Sequence, residues 1–198
     1  MLKNSKLNNK YQISNNKYQI SFVWRVNISS LRGMKTLYIR LERQEINAVA
    51  VARFLVTQTQ FVTKLHYAGI EPNASSGNGS GDNDHQQKQQ LDILSSTQKS
   101  YNLHRQQASG PSTVISFETG DVARSKKFVN SCKLFKITVS FGSCNSLVEM
   151  PCVLSHASIR KEDRTLPEDL VRVSIGIEHA HDLIFDLSNA IKEAMKTE

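Results

Sequence analysis

The sequence predicts an α/β or α+β domain whose helices pack on one sheet, and three stretches carry that expectation. Leu170–Ile177 alternates with period 2: Val171, Val173, Ile175 and Ile177 on one face, Leu170, Arg172, Ser174 and Gly176 on the other. From His179 to about Met195, Ala180, Leu183, Ile184, Leu187, Ala190, Ile191 and Met195 form an apolar stripe at helical spacing. Met34, Leu37, Leu41, Ala48, Val49, Ala52 and Leu55 make a second such stripe, so Gly33 to about Gln58 reads as a helix.

Between these stretches the elements are short. Phe61–Tyr67 is a β-prone run closed by Ala-Gly, and Thr113–Phe117 is a strand ending at Glu118-Thr-Gly. Asp121 is placed to cap a helix running to about Cys132, because its carboxylate can accept from the first free backbone N–H groups. Ile137–Phe141 reads as a strand stopping at Gly142, and Leu147–Met150 continues the sheet before Pro151. Two segments fall outside this core. Residues 1–30 are a Lys/Asn-rich tail in which Asn-Asn-Lys-Tyr-Gln-Ile-Ser occurs twice in tandem, too few copies to stack into a solenoid. Residues 73–100 are rich in Ser, Gly, Asn, Asp and Gln and read as a disordered surface insert.

Charge narrows the function classes. The 25 Lys and Arg exceed the 18 Asp and Glu by seven, but five of those cations lie in residues 1–30, which hold no acid. The remainder carries only +2, so the basic excess belongs to the tail and points to no specific nucleic-acid partner. No uncharged apolar run reaches the roughly 18 residues of a membrane span. The absence of acids before Glu42 leaves an organellar presequence as the alternative to a cytoplasmic location. Cys132, Cys144 and Cys152 are an odd number without a C-x-x-C pair, which argues against a disulfide framework and a zinc site.

Five segments, in order, carry a resemblance. They are Leu31-Arg-Gly-Met-Lys-Thr-Leu with Arg40, Glu42 and Asn47; Tyr67-Ala-Gly-Ile; Val139-Ser-Phe-Gly-Ser-Cys-Asn-Ser-Leu; Met150-Pro-Cys-Val-Leu-Ser-His-Ala-Ser-Ile; and Leu170-Val-Arg-Val-Ser-Ile-Gly-Ile-Glu. They resemble the C-terminal domain of the Cys/Met-metabolism enzymes, which use pyridoxal 5′-phosphate (PLP) and have the aspartate-aminotransferase fold type I. The resemblance implies an α+β domain with a small, mostly antiparallel sheet and helices on one side, here residues 31–198. Ser140-Phe-Gly-Ser and Met150-Pro-Cys are most similar to the plant-type cystathionine β-lyase branch, although Asn145 stands where the family usually has Glu. That branch implies cleavage of the amino-acid substrate cystathionine to homocysteine, pyruvate and ammonia, and a homotetramer for the full-length protein. A cystathionine γ-synthase or γ-lyase fragment and a non-catalytic interaction domain are the alternatives.

The resemblance also assigns residues. Arg172 falls at the position that binds the substrate α-carboxylate, a role suited to a planar guanidinium that can pair two carboxylate oxygens. The alternative is a surface ion pair with Glu168, Asp169 or Glu178. Ser140 falls at a catalytic and substrate-binding serine, whose hydroxyl can donate or accept beside an amine that changes protonation state. Ser155-His156-Ala157-Ser158 reads as a wall of the site rather than catalytic machinery. Cys144 and Cys152 read as packing residues, and His179 and His181 as solvent-facing. The Schiff-base lysine in a Ser-x-Thr-Lys context is absent, so no residue here is assigned to hold the cofactor covalently. A truncated product, inactive by itself, is the expectation.

Overall fold

The structure, a computed structural model, describes residues 27–71, 88, 93, 100–154 and 160–196. The tandem heptads, nearly all of the 73–100 insert and Ser155–Ile159 lie outside these residues. By internal contacts the chain divides after Arg40, and the first unit is helical over 27–35. There the Thr36 hydroxyl donates to the Arg32 carbonyl at 3.1 Å and the Arg40 guanidinium to the Gly33 carbonyl at 2.8 Å.

Helix α1 spans Leu37–Thr57 and buries Ala48, Ala52 and Leu55 of the expected stripe, with Val49 partly buried and Val51, outside the stripe, fully buried. The first half of the stripe does not follow: Met34, Leu37 and Leu41 remain exposed, as do Ile46 and, at 76%, Tyr38. Strands β1 (Lys64–His66), β2 (Val114–Glu118), β3 (Lys136–Ile137), β4 (Leu147–Glu149) and β5 (Val171–Ser174) form one sheet in the order β1-β2-β5-β4-β3. Every pairing is antiparallel except β3 with β4. Helices α2 (Val122–Ser131) and α3 (Ala180–Met195) complete the order.

The register sorts the two faces. Leu65 lies opposite Phe117, Phe117 opposite Val171, and Ile115 and Val148 both opposite Val173. These residues share a buried cluster with Val51 and Leu55 of α1, Phe128 of α2 and Leu183 and Leu187 of α3, so the helices cover this face. Phe61, Phe117 and Phe128 form an aromatic centre with ring centroids 5.3–6.3 Å apart. Ile93, from the segment read as an insert, also belongs to the cluster and is 2% exposed.

Asp121 caps α2 as its position suggests, accepting from the Ala123 N–H at 2.9 Å. Asp169 ties that turn to β5: its Oδ2 accepts from the Thr119 and Gly120 N–H groups, and its carbonyl from the Ser125 hydroxyl. Asp186 of α3 performs the same service for the chain after α2, accepting from the N–H groups of Lys133, Leu134 and Phe135.

Several expected strands are shorter than their apolar runs. Phe61 and Val62 belong to the turn that ends α1, donating to the Gln58 carbonyl, which delays β1 to Lys64. In the run Ile137–Phe141 the ladder ends at Ile137, with one further bond from the Thr138 N–H to the Val148 carbonyl, and at Ser140, with φ 73°, the chain has left the extended region. No helix among the described residues is long and apolar enough to cross a membrane.

Candidate functional site

On the sheet face away from the helices, Ser116, Arg172 and Glu149 lie in one transverse row across β2, β5 and β4. The period-2 pattern that buries Val171 and Val173 sends the intervening Arg172 to this opposite face. Its Nη2 donates to Oε1 of Glu149, a carboxylate with no solvent exposure, while the arginine side chain remains 32% exposed. The Phe141 ring lies 4.8 Å from Cζ of Arg172, a cation–π contact on one face of the guanidinium. Arg172 is thus held on an edge and on a face, with part of its surface still open to a ligand.

The acids that sequence reasoning offered as partners of Arg172 are engaged elsewhere. Asp169 caps the 119–120 turn, Glu168 faces Arg164 at 3.9 Å, and Glu178 accepts from the Ser146 N–H at 2.7 Å and the Ser146 hydroxyl at 2.9 Å. The ion pair comes from across the sheet, because residues opposite each other in antiparallel strands are closer than sequence neighbours, which point to opposite faces.

Ser140 precedes Phe141 in the loop that approaches Arg172 and is exposed. Its backbone sits in the left-handed region at φ 73°, a conformation that costs a non-glycine residue on the order of 1–2 kcal/mol. Replacing Ser140 by Gly is therefore expected to raise stability by about 0.5–1 kcal/mol in chemical denaturation, while removing the hydroxyl assigned to the reaction. Unchanged or lower stability would show that the left-handed backbone stores no strain.

A polar clamp fixes this loop to the end of β5. The Gly176 N–H donates to the Ser146 hydroxyl at 2.8 Å, and the Ile177 N–H to the Cys144 carbonyl at 2.9 Å. Asn47 of α1 donates to the Gly176 and Glu178 carbonyls, and Gln44 to the Ser143 carbonyl at 2.9 Å. Gly176 is required by space rather than by dihedral freedom: a Cβ there would meet the Glu178 carboxylate, the Cys144 carbonyl oxygen and, at 2.6 Å, the Ser146 nitrogen.

The other candidates separate. Cys152 is buried, with Sγ near the Leu166 and Pro167 carbonyls, as a packing residue should be. Cys144 is exposed instead, and its part in the loop is played by its backbone carbonyl, which accepts from the Ile177 N–H. Burial, reinforced by nearby Asp186, pushes the Cys132 thiol up to about 12, so it stays protonated and unreactive at neutral pH. His179 and His181 are exposed, and His179 caps α3 by accepting from the His181 N–H at 3.3 Å. The Ser155–Ser158 segment lies outside the described residues.

Sequence reasoning missed Glu149 and Phe141. A signal for Glu149 was present: an acid inside the apolar run Leu147-Val-Glu-Met requires a cation once buried, and Arg172 is the basic residue in mid-strand.

The described lysines lie at the surface. Among the described residues whose side chains are placed, every lysine is exposed except Lys127, whose ammonium donates to the Lys196 carbonyl at 2.8 Å. A PLP-binding lysine needs a pocket that orients it, so the described residues do not by themselves fit the cofactor.

Comparison with known proteins follows the same lines. The chain is 41% identical over 167 residues to the cystathionine beta-lyase of Neurospora crassa, covering 83% of this chain and 30% of that one. It is 43% identical over 165 residues to the chloroplastic cystathionine beta-lyase of Arabidopsis thaliana, with 82% and 30% covered. The fold superposes on the crystal structure of cystathionine gamma-lyase from yeast with a TM-score of 0.63 at 28% identity, covering 83% of this chain and 37% of that one. The chain thus spans less than a third of the length of these two curated relatives. Residues 7–87 and 93–192 match the Cys/Met metabolism PLP-dependent enzyme family, and the chain belongs to it.

Proposed function

We propose that this chain supplies the substrate-carboxylate side of the active site of a PLP-dependent carbon–sulfur lyase of the cystathionine β-lyase kind. Arg172, one third exposed and held by Glu149 and Phe141 on the sheet face away from the helices, is the observation that carries the reading. In it, the guanidinium fixes the α-carboxylate of an amino-acid substrate by charge-assisted hydrogen bonds. Ser140, in the adjoining loop, places its hydroxyl beside the substrate amine and helps steer its proton. The chemistry at the substrate carbon depends on a lysine-bearing portion that the described residues do not contain. Cystathionine as substrate, a homotetrameric full-length protein and a cytoplasmic location belong to the same proposal. The chloroplastic relative makes an organelle the alternative location.

The experiment is complementation. The 198-residue chain alone should release no pyruvate or ammonia from cystathionine. Mixed with a separately expressed lysine-bearing portion of the Arabidopsis relative, it should do so. An inert mixture in which the two pieces demonstrably associate would favour a non-catalytic interaction domain. A companion result is expected for the chain alone. Incubation with PLP and reduction with borohydride should give only sparse labelling spread over several lysines. A single stoichiometrically labelled lysine would overturn the assignment of the Schiff-base lysine to another portion.

A further inference from the structure

The environment of Arg172 points to a second residue that governs the same site. Glu149 has no solvent exposure, yet it lies on a strand whose neighbours Leu147, Val148 and Met150 are buried apolar residues. A carboxylate in such surroundings is costly unless a cation answers it. The sheet register supplies that cation, because Glu149 and Arg172 are directly opposite on antiparallel strands and share a face. On the other flank of Arg172 stands Ser116, too short to compete for the guanidinium. Nε of Arg172 is buried and without a hydrogen-bond partner, so the contact to Glu149 through Nη2 and the Phe141 ring are what hold the group in place.

We infer that Glu149 is a positioning residue: it serves as the resident counter-ion that aims the Arg172 guanidinium at an incoming carboxylate and competes with that carboxylate for its charge. The inference rests on the reading of Arg172 as a carboxylate site. Two opposed effects follow from one contact. The ion pair removes freedom from a long side chain before the ligand arrives, which lowers the ordering cost of binding. It also places a negative charge beside the position where a second one must sit, which weakens binding by like-charge repulsion. The site is therefore built to hold a carboxylate in a fixed orientation rather than tightly, a compromise suited to a substrate that must leave as product.

The test uses the full chain labelled with ¹⁵N-arginine, with Arg172→Lys identifying the resonance of Arg172. Buried Nε should give a displaced, slowly exchanging N–H signal in the unmodified protein. In Glu149→Gln, which keeps the shape and one oxygen acceptor but loses the charge, that signal should remain displaced yet exchange several-fold faster. In Glu149→Ala it should exchange at least tenfold faster and move toward the exposed arginines. Sodium acetate, titrated against sodium chloride at constant ionic strength, is the carboxylate probe. The acetate affinity read at Arg172 should rise about fivefold in Glu149→Gln, because the resident competitor is gone. Unchanged Nε exchange, or unchanged acetate affinity, in Glu149→Gln would overturn the inference. That variant alone decides it if Glu149→Ala fails to fold. An Arg172 signal indifferent to acetate in all proteins would instead remove the carboxylate-site reading, leaving Nε exchange to judge the role of Glu149.

Discussion

In an enzyme reconstituted with a lysine-bearing portion, Arg172→Lys is expected to lower kcat/KM by about 10- to 150-fold for every amino-acid substrate. The charge survives this change; the geometry does not. An ammonium is a point charge and cannot offer parallel N–H donors to two carboxylate oxygens. Losing one charge-assisted hydrogen bond costs on the order of 1.5–3 kcal/mol, and that loss in transition-state binding is the stated fold-change. Substrates should suffer alike, because the α-carboxylate is common to them. Arg172→Ala should be worse in two respects. Nothing then holds the carboxylate, and the cation that faces the fully buried Glu149 is gone. Removing one partner of a buried pair costs about 3–5 kcal/mol. With a third of Arg172 in solvent, about 2–3 kcal/mol is the expected loss in denaturant unfolding. A stability change below 1 kcal/mol with unaltered kinetics would reduce Arg172 to a surface ion pair.

Gly176→Ala is the second change with a large expected effect, and it acts without touching a ligand. The added methyl meets backbone atoms of Cys144 and Ser146, which have no rotamer through which to escape. Either the 142–146 loop or the end of β5 must move. Overpacking of this kind costs typically about 1–3 kcal/mol. The loop's contacts to Gly176, Ile177, Glu178 and Gln44 would shift with it, carrying Phe141 away from Arg172 and moving Ser140 beside it in the chain. Activity in the reconstituted enzyme should therefore fall at least tenfold, beyond what the stability loss explains, since a displacement near 1 Å at positioned groups is enough for a large rate effect. Full activity with normal stability would mean that the loop is not fixed through Gly176.

How much of this was legible in the chain differs by region, for physical reasons. The apolar face Val171, Val173 and Ile175 and most of the stripe at 180–195 were clear because both elements bury one face against the same core, and burial writes periodicity into sequence. The alternation does not hold to its ends: β5 stops at Ser174, Ile177 is exposed, and Leu170, Ser174 and Gly176 of the other face are buried too. Asp121 was readable as a cap because capping is a local, short-range requirement. The first half of the stripe through Met34, Leu37 and Leu41 has the same spacing and yet is exposed, since periodicity records that a face is covered but not by what. Strand lengths after Phe61 and Ile137 were overestimated because apolar runs do not report where a turn intervenes or the ladder ends. Arg172 was singled out through the family segment around it. Its actual partner was not, because Glu149 is 23 residues away and only the β4–β5 register brings the two together. The loop clamp built by Asn47, Glu178 and Gly176 was likewise invisible, since its hydrogen bonds join residues about 30 to 130 apart in sequence.

The reading stands on Arg172 recognising an α-carboxylate, and a pair of small inhibitors addresses that recognition. L-Alanine and ethylamine share an amino group and a two-carbon frame, but only alanine carries the carboxylate. Their inhibition constants, measured in the reconstituted enzyme with Arg172 intact and with Arg172→Ala, form a double-mutant cycle that isolates the guanidinium–carboxylate term. The expected result is a preference for alanine of at least tenfold that falls to near unity in Arg172→Ala, with ethylamine inhibiting both proteins alike. A preference for alanine that survives the loss of Arg172 would contradict the assignment.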